Sequence, residues 1–333
     1  MDPLNALVIF LNFVFIPASA YGAQLALGAL GVTLIYGILR FSNFAHGDTM
    51  AFGTAMVILL TWGLQALGIT LGPLPTALLA LPAAIALTAA LALLTDRWVY
   101  RHYRRIKAAP IVVVMASVGV MFVMNGLTRI VIGVGEINFA DGARFVVTVP
   151  QFKAMTGLSE GLSLRTTQAI TLVIAALSVW ALFVFLNRTR AGKAMRAYAD
   201  NEDLALLSGI DPDRVVRLTW IIAIALAVMA GSLYGLDKSF KAFNYFQILL
   251  PIFAAAIVGG LGNPVGAIAG GFLIAFSEVA LTYPWKKVAE YLGFEPTGLL
   301  QMLGTEYKLA ISFVILIVVL LVRPTGLFRG KAY

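Results

Sequence analysis

Tyr36-Gly-Ile-Leu-Arg-Phe-Ser-Asn-Phe-Ala-His-Gly-Asp48 lies between two long apolar runs and crowds Arg40, Ser42, Asn43, His46 and Asp48 into one short interval. A soluble chain spreads such groups over a wet surface. Beside apolar helices each costs free energy unless it finds a partner or lines a cavity. The stretch therefore marks either a membrane boundary or the wall of a transport path.

The chain around it is 60% hydrophobic and 12% charged over 333 residues, with a mean hydropathy of +0.92. Apolar blocks fall at Gly22–Leu39, Phe44–Leu64, Leu74–Thr95, Ile111–Ile132, Thr167–Leu186, Leu218–Leu236, Ile248–Gly259, Val265–Leu281 and Leu309–Val322. Most can cross a hydrocarbon core about 30 Å thick at about 1.5 Å per residue. The ten-residue alternation of a membrane β-barrel is absent. The expectation is an all-α, polytopic helical membrane protein, one domain over residues 1–333 with about eight to ten transmembrane helices and room for broken ones. With no cysteine, disulfides and thiolate metal sites are excluded.

Met1-Asp2-Pro3 lacks the basic start of a signal peptide, so Leu4–Ala20 reads as a short extra helix with a kink or stop at Pro17. Ile248–Gly259 is too short to span alone and runs into Gly259-Gly-Leu-Gly-Asn-Pro264. Two readings stand there: a tilted helical hairpin, or a broken helix entering part-way.

The net charge of +8 comes from bases flanking apolar runs, an orientation signal rather than a nucleic-acid surface. Asp96–Lys107, the loop at 188–217 and the tail Arg323–Tyr333 are basic and expected inside. Gln65–Pro73, the loop at 133–165 and Tyr283–Tyr307 are expected outside. The C-terminus is then cytoplasmic, and counting the extra N-terminal helix as a span brings the N-terminus inside too. Residues 133–165 read equally as a small extended cap or an irregular loop.

Asn187–Asp213 is too polar for lipid yet patterned for order. Gly192–Ala199 is a helix-compatible basic turn, and Leu204, Leu207 and Ile210 recur at spacing three. Gly209 suits a left-handed helix end, and Asp211-Pro212 suits the cap and first residue of the next helix. Such a segment either docks into a partner's groove or merely anchors at the membrane surface. Asn43, His46 and Asp48 form either substrate or gate contacts, or a hydrogen-bonded clasp between helices. The glycines Gly259, Gly260, Gly262, Gly266, Gly270 and Gly271 chiefly signal close helix packing. No strand precedes them and no Gly-Lys-Ser/Thr follows, so they are not a nucleotide loop. Glu278 reads as an acid near the outer boundary within reach of water. No nucleophile–base pair or metal set accompanies His46 or His102.

Gly31–Asp48, Arg190-Ala-Gly-Lys-Ala-Met-Arg-Ala with Asp200-Asn-Glu, Leu206–Asp211, Ile257–Gly271 and Arg323-Pro-Thr-Gly-Leu-Phe328 together resemble the branched-chain amino acid permeases of bacterial ABC importers, LivH type. The resemblance runs in order from about Gly22 to Phe328. It implies a multi-pass permease subunit of the bacterial inner membrane. The implied partners are a second permease (LivM type), two cytoplasmic ATPases and a periplasmic substrate-binding protein, with membrane lipid around it and no nucleic acid. ATP is used by the partner chains, and this chain is expected to bind no cofactor and to make no covalent change. The resemblance assigns ATPase coupling to Gly192, Lys193, Arg196, Asp200, Asn201, Glu202, Leu204, Leu207 and Gly209. The substrate-path candidates are Asn43, His46, Asp48, Gly259, Gly260, Gly262 and Asn263. A permease for urea or short amides is the alternative cargo; a secondary transporter is the rival class.

Overall fold

The structure is a computed structural model describing residues 3–294, 298 and 300–328; Met1, Asp2, part of the loop Tyr283–Tyr307 and residues 329–333 of the basic tail lie outside the described residues. Among the described residues, nine helices are long and apolar enough to cross a membrane. They are α1 (Pro3–Leu39), α2 (His46–Ala66), α3 (Ala77–Arg105), α4 (Pro110–Ile132), α6 (Thr166–Arg188), α9 (Pro212–Lys238), α10 (Ala242–Gly259), α11 (Pro264–Thr282) and α13 (Lys308–Val322, preceded by a short turn from Thr305). Shorter elements join them: β1 (Phe145–Val147), α5 (Val149–Thr156) and β2 (Leu164–Arg165), then α7 (Arg190–Asp200), α8 (Glu202–Leu207) and α12 (Lys286–Tyr291). The strands β1 and β2 pair antiparallel.

α1 is the axis of the bundle. It is buried almost throughout Ala18–Ile35 and packs against α11, α9, α10 and α6. Close approach rests on small residues: Gly271 meets the Ala26 backbone, Gly28 meets Ile252, and Gly231 meets Met50 and Thr54. Lipid gives little hydrophobic drive for helix association, so backbones that can come close supply the packing.

The bundle has two chemically distinct ends. At the basic end, Arg101 bonds Asp213 at 2.6 Å, and Phe328 N–H reaches the Gly259 carbonyl. At the far end, Asp141 accepts from Thr76 N–H at 2.7 Å and Gln65 Nε2 at 2.8 Å. Burial works to raise the Asp141 carboxyl, but these hydrogen bonds outweigh it and hold the group below the usual carboxylate range.

Two expectations about the first helix change, and of the two readings of Ile248–Gly259 the hairpin holds. Pro17 neither stops nor splits the first helix: α1 runs unbroken from Pro3, with a widened π turn at Leu11–Phe15 just before the proline. The wide turn absorbs the missing N–H and the ring's bulk. The N-terminal helix is therefore not an extra span, and Asn5 and Asn12 tie it to Glu160 and Ser163 of the far-end loop. α10 starts at Ala242 and reaches 18 residues despite Pro251, so with α11 it makes a full hairpin rather than a part-way entry. The interruption lies instead between α1 and α2. Arg40 caps α1 in the left-handed region, at φ 59°. The chain then re-enters without helix until His46, which abuts Gly31, about 12 Å of helix rise from the end of α1.

Gly270→Ala should destabilise the protein by about 1–3 kcal/mol, because its Cβ would strike the Ala255 carbonyl across the α10–α11 hairpin. Gly63→Ala, which meets nothing within 4 Å, should be neutral. Thermal melts in detergent compare the two; equal melting temperatures would contradict the packing account.

Candidate functional site

Functional groups lie in three layers rising from the basic end. The outermost is the α7–α8 pair. Thr189 caps α7 through Gly192 N–H, and Asn201 caps α8 through Leu204 N–H. Gly209 ends the unit at φ +80°, and Asp211 caps α9 with Pro212 behind it. A Cβ on Gly192 would collide with the Phe185 carbonyl, so this glycine lets α7 lie directly on the end of α6. Met195 and Tyr198 face inward, buried. Tyr198 donates to Glu202 at 2.6 Å, and burial together with this carboxylate pushes its hydroxyl well above the ordinary range. Lys193, Arg196, Asp200, Asn201 and Glu202 are exposed. So are Leu204 at 62% and Leu207 at 86%, two apolar side chains that the fold leaves uncovered.

The second layer is a latch on the re-entrant segment. Arg40 donates to the Ala199 carbonyl, at the C-terminal end of α7, at 2.5 Å. The cation also suits the negative end of that helix dipole. Phe41 packs on Tyr100, whose hydroxyl donates to Asn43 Oδ1 at 3.1 Å. Asn43 Oδ1 also accepts from Ala45 N–H, the local turn that Asn favours. Tyr100 stacks on Trp220, and Trp220 Nε1 donates to Asp96 at 2.8 Å. Arg104 holds Asp96 with two bonds of 2.6 and 2.9 Å. Asp96–Tyr100 is itself a π turn of α3, a distortion frequent at functional sites. Sequence reading missed this network. Its one signal was Asp96, an acid at the head of an otherwise basic loop.

The third layer is His46 and Asp48 at the start of α2. Both are fully buried. Asp48 accepts from Asn125 Nδ2 of α4 at 2.6 Å. The His46 ring presses on Gly31, and its nitrogens make no well-aligned side-chain bond; the Gly28 backbone is its polar neighbour.

The glycine turn stands apart from these residues. Gly260 and Gly262 adopt φ +110° and +81°, and Asn263 caps α11 through Val265 and Gly266 N–H. Gly259 and Gly266 are in backbone contact. Phe44 meets Phe253, about 9 Å of helix rise before Gly259, so the turn and the His46–Asp48 layer occupy different depths. Gly262 instead shares a cavity of about 210 Å³ with Gly37, Arg40, Arg196 and Asp200. Glu278 also departs from expectation: it is near the far end but only 1% exposed, hydrogen-bonded by Ser312 of α13.

Asp96→Asn should destabilise the basic end by about 3 kcal/mol, since it strands a half-buried guanidinium. Tyr100→Phe keeps the Trp220 stack and loses one hydrogen bond, about 1 kcal/mol. Denaturation of the purified chain ranks the two; a reversed order would refute the latch.

The family model for the branched-chain amino acid transport system / permease component matches residues 16–320. The high-affinity branched-chain amino acid transport permease LivH of Escherichia coli K12 is 32% identical over 312 residues, covering 92% of this chain and 91% of that protein. The corresponding permease BraD of Pseudomonas aeruginosa is 29% identical, with 92% of each chain covered. Among solved structures, PsaBC from Streptococcus pneumoniae in complex with Fab shares the fold at a TM-score of 0.50, over 97% of this chain and 96% of that one, at 13% identity. With nine apolar helices among the described residues and a family match running through them, this chain belongs to the branched-chain amino acid transport permeases, as a multi-pass membrane protein.

Proposed function

We propose that the chain is the permease subunit of a bacterial inner-membrane ABC importer for branched-chain or closely related amino acids. It pairs with a second permease of the LivM type, two ATPases on the cytoplasmic side and a substrate-binding protein outside. The basic end and the C-terminus face the cytoplasm, as the Lys/Arg bias of the loops favours. The observation that carries the coupling role is the capped α7–α8 unit with Leu204 and Leu207 bare at its tip. A fold that caps both helix ends yet leaves two leucines uncovered presents them to a groove on another protein.

The mechanism follows from how that unit is attached. ATP-driven closure of the ATPases moves α8. α7 moves with it as a stiff piece, because Tyr198 ties it to Glu202. Arg40 grips the last turn of α7 and begins the re-entrant segment that ends at His46 and Asp48. Displacement at the cytoplasmic surface thus reaches the middle of the bundle through one short non-helical stretch. The latch of Tyr100, Trp220 and Asp96 holds that stretch in its engaged arrangement, and its release is the second arrangement this mechanism requires.

Replacing Leu204 and Leu207 by Asp should abolish ATPase co-purification while the chain still inserts in the membrane. Arg40→Gln should keep co-purification but lower ATP-driven uptake about ten- to hundredfold, the worth of a charge-assisted bond of about 1.5–3 kcal/mol. Full ATPase binding and uptake in the leucine double variant would overturn the coupling role.

Orientation is checked separately, and the cysteine-free background makes it simple. An impermeant thiol reagent on spheroplasts should label Ala140→Cys and spare Arg105→Cys and Arg196→Cys. The opposite pattern would invert the charge argument.

A further inference from the structure

One buried acid has no part in this mechanism. Between α1, α9, α11 and α13, at the far end, lies a cavity of about 320 Å³. Glu278 lies about 6 Å of helix rise below the end of α11 and is 1% exposed. Ser312 Oγ hydrogen-bonds to its carboxylate, and Tyr21 lines the same cavity. Among the described residues no lysine or arginine pairs with it at ion-pair distance. A carboxylate offers about four acceptor positions, so Glu278 keeps capacity for a further donor.

The rest of the cavity supplies what such a donor's own molecule needs. Lys308 acts on Glu278 electrostatically from the start of α13 and contributes to the lining. Phe13, Pro17 and Val279 give an apolar wall. Asp237 is already occupied by Arg165 at 3.7 Å and Lys238 at 3.5 Å, which leaves Glu278 as the lining acid without an ion pair among the described residues. An intramembrane carboxylate without an ion pair is expensive, so it is either held neutral by a proton or answered by a visiting cation.

We infer that this cavity is a binding subsite for a primary ammonium carrying an adjacent anion and an aliphatic body. The ammonium bonds Glu278, the anion faces Lys308, and the aliphatic part lies along Val279 and Pro17. A free amino acid has this chemistry, and so does a phosphatidylethanolamine headgroup. The amino-acid source rests on the importer reading above; the ammonium site itself does not.

The test uses the assembled complex in nanodiscs, with Val279→Cys as the sole thiol. A water-soluble thiol reagent reports access to the cavity. In phosphatidylcholine discs, L-leucine at about ten times its Kd should slow labelling about tenfold, by occupancy of the site. The analogue 4-methylpentanoate, which lacks the ammonium, should not, and Glu278→Gln should remove the leucine effect. Slowing by phosphatidylethanolamine alone, also lost in Glu278→Gln, supports the same site with lipid as the source. Thr282→Cys is the second reporter should Val279→Cys assemble poorly. Labelling that neither leucine nor phosphatidylethanolamine alters, or that Glu278→Gln leaves unchanged, overturns the inference and makes Glu278 a static clasp for α13. ATP-dependent leucine uptake by the parental complex is measured alongside, so a failure of the subsite is distinguished from a failure of the importer reading.

Discussion

Everything else in this bundle depends on how closely other backbones approach α1. In lipid, apolar side chains gain little by leaving their surroundings, so helices hold together through contact area and small residues. Gly22, Gly28 and Gly31 face Phe272, Ile252 and the His46–Ala223 pair respectively, and Gly271 meets the α1 backbone at Ala26. α9, α10 and α11 are drawn onto one axis as a result. α6 and α13 are left largely exposed at the periphery. The rigid centre and the looser rim follow from where the glycines lie.

Against that rigid centre, the re-entrant segment after Arg40 is the unusual element. Its backbone runs without helix inside the protein, which is tolerated only because neighbours supply bonds: Ser117 to Phe44 N–H, Asn43 to Ala45 N–H, Tyr100 to Asn43. The same bonds connect it to α3 and α4, and the Tyr100–Trp220 stack carries the connection on to α9. A segment held by a few discrete polar contacts moves between defined positions, whereas the surrounding close-packed helices resist small continuous shifts.

Local chemistry was legible in the sequence; long-range pairing was not. Apolar blocks announced the helices, and Asp211-Pro212 and Gly209 announced where helices start and stop, because each acts on its own few neighbours. Pro17 misled because nothing nearby signals that the preceding turn widens to receive it. The path candidates His46 and Asp48 lie at a different depth from the Gly259–Gly262 turn, since depth depends on the left-handed cap at Arg40, which no residue pattern marks. Asp96 was hidden among bases, and Glu278 looked wet because its partner, Ser312, comes from the last helix.

The length of α1 fixes how the protein stands in its membrane. Its 37 residues make a rod about 55 Å long, against a hydrocarbon slab of about 30 Å. Its N-terminal part is tied into the far-end loops through Asn5 and Asn12, and Phe10 and Phe13 stack on Trp285 and Tyr283 there. Amphipathic rings of this kind settle at the headgroup level and anchor a span vertically. With one end so anchored, any hydrophobic mismatch between protein and bilayer is taken up at the other. A thicker or thinner membrane therefore changes the height of the α7–α8 tip above the lipid surface, and membrane composition becomes a variable in how readily another protein reaches it.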